Sequence, residues 1–240
     1  MEKYLWDMFK QGGYDEVVIG YLYMGGCSMP KHLYNIQNNI ASYEYGKNTN
    51  GTWVKTHNST ALHGLQDEEW DYVNIQSSPD YIGGQTINSF KEGVNNDGTQ
   101  VSNVNMTEYE AMDQITDWIK ANATNADVKI DYHMIWSFSE GCNLWSYTYH
   151  NYDQMTMYNN IVNITQQKVQ NHEDINRVIP SATAIQNAPQ PKPEAAAAAA
   201  AKIERPANSQ LREFVMIPQV QEEAKLPPVP AKTEPKPAPV

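Results

Sequence analysis

The densest cluster of reactive groups in the chain is Met24-Gly25-Gly26-Cys27-Ser28, with His32 four residues further on. A thiol, a hydroxyl and an imidazole within so short a span are the ingredients of nucleophilic catalysis, and two adjacent glycines let backbone N–H groups approach an anion with no Cβ in the way. The same residues also fit a tight strand-to-helix turn. Ser28 then caps the helix that follows, His32 is a surface helix residue, and Cys27 is a packed thiol with no base to lower its pKa. A second candidate is Gln76, at the end of Trp70-Asp71-Tyr72-Val73-Asn74-Ile75, where a side-chain amide could donate to a developing oxyanion or merely satisfy loop backbone. His57, His63, His133 and His150 show no i, i+4 spacing and read as structural or solvated, and Asp67-Glu68-Glu69 reads as a solvated helix end. Neither a metal site nor a cofactor is expected from these residues.

The elements that must position these groups alternate between two periodicities. Val17 to Tyr23, Tyr72 to Gln76, Val128 to Trp136 and Arg177 to Pro180 read as short buried strands rich in β-branched and aromatic residues. Thr107 and Glu110 form a capping box ahead of Ala111, Met112, Ile115, Trp118 and Ile119, which share one helix face. Met155, Tyr158, Ile161, Val162, Thr165 and Val169 repeat that spacing. Tyr4, Met8 and Phe9 predict a short opening helix that stops at Gly12-Gly13, and His32 to Tyr45 is expected to be helical after Pro30. Strands separated by helices imply an α/β fold with a parallel sheet. Ligands then collect at the carboxyl ends of the strands, here the loops Gly25 to Met29, Gln76 to Gly84 and Ser137 to Trp145.

Composition divides the 240 residues in two. Of the 14 prolines only Pro30, Pro79 and Pro180 precede residue 189, leaving eleven in the last 52 residues, which contain no glycine and one aromatic, Phe214. Such a segment cannot bury enough apolar surface to offset its chain entropy. Residues 189–240 are therefore expected to be a low-complexity linker or tail, with an Ala-rich run of high helix propensity at 194–202 and an extended Pro-rich end. The rival reading is a docking peptide centred on Phe214, Val215, Met216 and Ile217, whose partner the sequence does not identify.

A net charge of −11 repels phosphate backbones, and no basic stripe offsets it, so nucleic-acid binding is not expected. No stretch approaches the roughly 20 apolar residues of a membrane span, and the N-terminus lacks the pattern of a secretory signal, so a soluble chain is expected. Cys27 and Cys142 leave room for one bridge and are too few for a disulfide framework. Sequons at Asn50, Asn58, Asn105, Asn122 and Asn163 arise readily in Asn-rich sequence and carry no weight.

Taken together, the Tyr14 to Tyr45 stretch with its Tyr-Leu-Tyr-Met-Gly-Gly-Cys-Ser core, the Trp70 to Ser78 run, Ala121-Asn122-Ala123-Thr124-Asn125, His150 through Tyr158, and Ile179-Pro180-Ser181-Ala182-Thr183 onward to Ala188 resemble a bacterial branch of the SGNH (GDSL-like) hydrolase superfamily common in gut anaerobes. The resemblance covers residues 1 to 188 and implies a three-layer, flavodoxin-like domain. It also implies acyl transfer, in which a Ser after the first strand attacks an ester carbonyl, a His of an Asp-x-x-His motif acts as base, and N–H and amide donors hold the oxyanion. Gly26 matches the oxyanion glycine and Gln76 stands where the family usually has an Asn donor.

The departures weigh as much as the matches. By this resemblance the chain opens within the helix that follows the nucleophile motif, and no Asp-x-x-His follows Ala188 or histidine follows His172. Two function classes result. One is an SGNH-type domain related to esterases of carbohydrate or other small acyl esters, inactive here, with Gly26, Ser28 and Gln76 as substrate-binding residues and no catalytic residue. The other is a non-catalytic carbohydrate-binding or interaction module tethered by the Pro-rich tail. The family strand order 2-1-3-4-5 further implies a sheet lacking its central strand, with Val17 to Tyr23 unpaired or re-paired to Tyr72 to Gln76. That loss is comparable to the roughly 5 to 15 kcal/mol that holds a domain together, so a marginal or aggregation-prone chain is expected unless a partner strand is supplied.

Overall fold

The structure, a computed structural model, describes residues 2–78, 93–94, 100–101, 106–187 and 210–217. It is an α/β arrangement around one mixed seven-stranded sheet. The opening helix α1 (Glu2–Gln11) leads into strand β1 (Glu16–Tyr23), helix α2 (Met29–Gln37), the hairpin β2 (Tyr43–Thr49) and β3 (Thr52–Ser59), helix α3 (Ala61–Gln66) and strand β4 (Tyr72–Ile75). A small antiparallel pair, β5 (Gly93–Val94) and β6 (Gln100–Val101), precedes helix α4 (Glu108–Asn122) and strand β7 (Lys129–His133). A 3-10 turn at Trp145–His150, helix α5 (Gln154–Lys168), strand β8 (Arg177–Ile179), helix α6 (Ser181–Asn187) and strand β9 (Gln210–Ile217) follow.

The order across the sheet is β3-β2-β1-β9-β4-β7-β8. From β1 to β8 all neighbours are parallel, and β2 and β3 extend the sheet as an antiparallel edge. The central position is therefore filled, by a segment of the low-complexity region. β9 pairs with all eight residues of β1, from Glu16 opposite Gln210 to Tyr23 opposite Ile217, and with Tyr72, Val73 and Asn74 of β4. This corrects two expectations: the sheet does not lack its middle strand, and residues 210–217 are not linker. The docking-peptide reading of Phe214 to Ile217 fits, with the chain's own sheet as acceptor. The physical reason is that β1 and β4 each present a row of unpaired N–H and C=O groups, which only an extended segment can satisfy. The Ala-rich run at 194–202 and the Pro-rich end lie outside the described residues.

The helices form as their patterns require. In α4 the capping box is complete and Ala111, Met112, Ile115 and Ile119 are buried. In α5 the buried residues are Met157, Ile161, Ile164 and Thr165, so the stripe is rotated from the expected one and Met155 is exposed. α1 likewise exposes Tyr4 and Met8, while Leu5 packs with Tyr21, Tyr23 and Trp53 on the sheet face opposite the main core. The main core joins Leu22, Trp70, Val73 and Ile75 to helices α2, α3, α4 and α5.

The expected helix from His32 to Tyr45 ends at Gln37. Asn38 closes it, Asn39 takes φ +48°, and the chain turns into β2. The hairpin that follows went unread, although Asn50-Gly51 is a strong signal for one: both adopt positive φ (+52° and +90°), as a two-residue turn of this kind requires. Asp67 and Glu68 are likewise more than a solvated helix end, since both oxygens grip Lys47 Nζ, at 2.8 and 2.6 Å.

Candidate functional site

The carboxyl ends of β1, β4 and β7 converge on one rim of the sheet, with the end of β9 between the first two. Gly26 sits in the turn after β1 with φ +59°, and a Cβ built on it would meet nothing within 4 Å. Neither the Ser28 hydroxyl nor the Cys27 thiol is available beside it. Ser28 is fully buried and accepts from the amide of Lys31 at 3.3 Å, which makes it the N-cap of α2. Burial, reinforced by the charge of Glu108, pushes the Cys27 thiol far above its usual range, and its Sγ donates to the carbonyl of Ser28. Cys27 and Cys142 are both free thiols.

The start of α2 is already occupied. Glu108, only 5% exposed at the N-terminus of α4, accepts from the amide of Met29 through both carboxylate oxygens, at 3.0 and 3.2 Å. A buried carboxylate on these amides does for the helix dipole what a bound anion would do. The carboxylate also ties α2 to α4 across 79 residues of sequence. The helix start is thus withdrawn from the anion cradle read from Gly25-Gly26 and α2.

Gln76 leaves β4 buried, 3% exposed, followed by buried Ser77 and Ser78. Ser77 Oγ accepts from the Tyr132 hydroxyl at 3.3 Å, and burial raises Tyr132 to about 12. The remainder of the expected Gln76 to Gly84 loop, from residue 79, lies outside the described residues. Gly26 and Gln76 flank the end of β9 on either side, so strand spacing sets the two loops about 10 Å apart.

His32 is not a surface residue. It is 1% exposed, stacked on Tyr43, with Nδ1 3.0 Å from the tyrosine hydroxyl, and burial lowers its pKa to about 4. His150 is also buried, its Nδ1 at 3.0 Å from Asn160 Nδ2, and is lowered to about 4. His57 lies 3.7 Å from Glu44, His63 packs edge-on against Tyr45, and His172 pairs with Asp113 at 2.8 Å. His133 differs from all of these. It ends β7, and its Nε2 stands 2.6 Å from Oγ of Ser181, the residue that opens α6 after β8. Burial lowers the pKa of His133, which favours the neutral imidazole. Sequence reasoning missed this pair because its members are 48 residues apart; the available signal was that each closes a strand on the same rim. Among the described residues, no group of three His, Cys, Asp or Glu side chains could hold a metal ion, and no helix is long and apolar enough to cross a membrane.

Comparison with known proteins adds a family without an assigned activity. A family model described as a domain of unknown function, DUF4886, matches residues 1–195. The crystal structure of a DUF4886 family protein from Bacteroides uniformis superposes with a TM-score of 0.63 at 28% sequence identity. The match covers 78% of this chain and 64% of that one, so the chain spans less than two thirds of its solved neighbour. No curated protein matches.

Proposed function

The chain belongs to the DUF4886 family, and on that premise we propose that it is an SGNH-hydrolase-like domain, related to esterases of carbohydrate or other small acyl esters, that is non-catalytic as this chain stands. The observation that supports the reading is the parallel order β1-β9-β4-β7-β8, which corresponds to the 2-1-3-4-5 arrangement expected of that superfamily when β9, the last strand in sequence, is counted in the place of the first. Gly26 stands in a turn with room for a Cβ on one side of the central strand end, and the buried Gln76 stands on the other. A nucleophile would have to stand between them, on the residue following β9. Here the chain continues Pro218-Gln219-Val220-Gln221, with neither hydroxyl nor thiol. The role we assign to this rim is binding of a small acylated glycan between the turn at Gly26 and the loop at Gln76.

The test is turnover of p-nitrophenyl acetate together with binding on an array of acetylated and plain glycans. The expected result is no release above buffer, with selective glycan binding that falls at least tenfold in Gln76→Ala. Absence of any glycan binding would sink the binding role. One observation favours a second reading: a neutral His133 on Ser181 is a base against a hydroxyl. If activity appears, survives Ser28→Ala and is lost in both Ser181→Ala and His133→Gln, that pair is the source and the domain is a hydrolase.

A further inference from the structure

β9 enters the sheet unlike any other strand. It is the last described element of the chain, yet it lies between two strands laid down near the beginning, and it is separated from the end of α6 by residues 188–209. β1 and β4 make no ladder with each other; each directs its inner edge at β9. The sheet therefore contains a slot one strand wide, about 10 Å from β1 to β4, whose walls are fully specified without the strand that fills it.

The occupant is bounded by its sequence. Pro218 follows Ile217 directly and cannot donate to a ladder, so pairing ends there, at the residue opposite Tyr23 where β1 also ends. Within those limits Phe214-Val215-Met216-Ile217 makes the apolar run usual in a central parallel strand, and Arg212 and Glu213 do not continue it. Arg212 stands in register with Val18, and Glu213 with both Ile19 and Tyr72. Main-chain pairing, on both sides from Glu213 to Val215, holds this segment along with that short apolar run. That is the mode by which sheets recruit extended peptides from other chains.

The connection leaves the choice of sheet open. The 22 residues between Asn187 and Gln210 span at most about 75 Å when extended. Such a tether reaches its own slot or that of a neighbour. It fixes only a local concentration on the order of millimolar, which dissolved copies can match.

From this we propose that the β1/β4 slot is a strand-acceptor site, and that Gln210–Ile217 of a second copy of this chain can fill it, so that two copies exchange β9 reciprocally into a closed dimer. The site recognises an eight-residue extended segment running parallel to β1 and followed by a proline.

The experiment uses full-length chains. One carries Val18→Cys and another Arg212→Cys, each with Cys142→Ser, because positions 18 and 212 face each other in the ladder. Mixed and oxidised, they should give a disulfide-linked heterodimer whose yield rises about tenfold or more from micromolar to millimolar chain, the range set by the tether. A control pairing Val18→Cys with Thr233→Cys, outside the strand, should remain at background. A heterodimer no more abundant than that control overturns the proposal. Native mass spectrometry of unsubstituted chain, mixed with its 15N-labelled form, guards against misfolded variants. Mixed dimers at millimolar chain, depleted at least tenfold by Phe214→Pro, support exchange, whereas monomer at every concentration refutes it.

Discussion

β4 and β9 lie side by side in the middle of the sheet, and each is paired on both edges. β4 is written into its surroundings. Trp70 enters just before it, 1% exposed, with its indole N–H donating to the carbonyl of Gly64 at 3.0 Å, and Val73 and Ile75 are buried in the main core. β9 carries an Arg and a Glu at ladder positions and arrives from a segment whose composition argues against order. A strand can thus be placed either by its own pattern or by the unsatisfied edges of its neighbours. The second route fixes position and register while asking little of the sequence.

The sharpest way to break this contrast is to damage the frame and watch the guest. Trp70→Ala should cost about 4 kcal/mol, from lost burial and the orphaned carbonyl of Gly64. Denaturant unfolding followed by hydrogen exchange should find β9 losing protection together with β4. Persistence of β9 protection in this variant would mean that the strand does not depend on the frame.

Acid should attack the frame next. Burial holds the folded pKa of His32 at about 4, against about 6.5 for a free imidazole. Between those values the unfolded chain binds more protons than the folded one, so stability rises with pH across that window and levels off above it. Acidification from pH 7 to 4 should withdraw about 3 kcal/mol through His32, and His150 adds in the same direction. Urea midpoints measured at pH 4.5, 5.5 and 7.5 check the slope, and His32→Gln should flatten it.

A smaller loss comes from Glu108→Ala, which leaves the amide of Met29 without its carboxylate and unties α2 from α4 at a cost of about 2 kcal/mol. Removal of that charge should also bring the Cys27 thiol down from its raised pKa, visible as faster reaction with a thiol reagent at alkaline pH. The smallest effect sharpens the comparison from the guest's side. Arg212→Val moves β9 toward the apolar pattern of a central strand and should gain at most about 1 kcal/mol in a denaturant melt.

Much of the frame was legible. The core positions of β1, β4, β7 and α4 followed from periodicity and capping, because such signals act within a few residues of themselves. Ser28 was readable as a cap for the same reason. His32 was not readable as buried, because its partner Tyr43 comes from the strand after its helix, and the sequence run between them read as continuous helix. At the candidate site, Gly26 and Gln76 follow the ends of β1 and β4, positions a local pattern can mark, whereas the Ser181–His133 pair and the Glu108 carboxylate on α2 join residues 48 and 79 positions apart.

What the sequence determined by itself is therefore the α/β alternation, the helix starts and the glycine turn at the rim, all consequences of local backbone preference and of apolar spacing. Only the tertiary structure decided the middle of the sheet. A strand whose composition favours disorder is held there because two neighbouring edges, 16–23 and 72–74, have hydrogen-bonding groups that nothing local can satisfy.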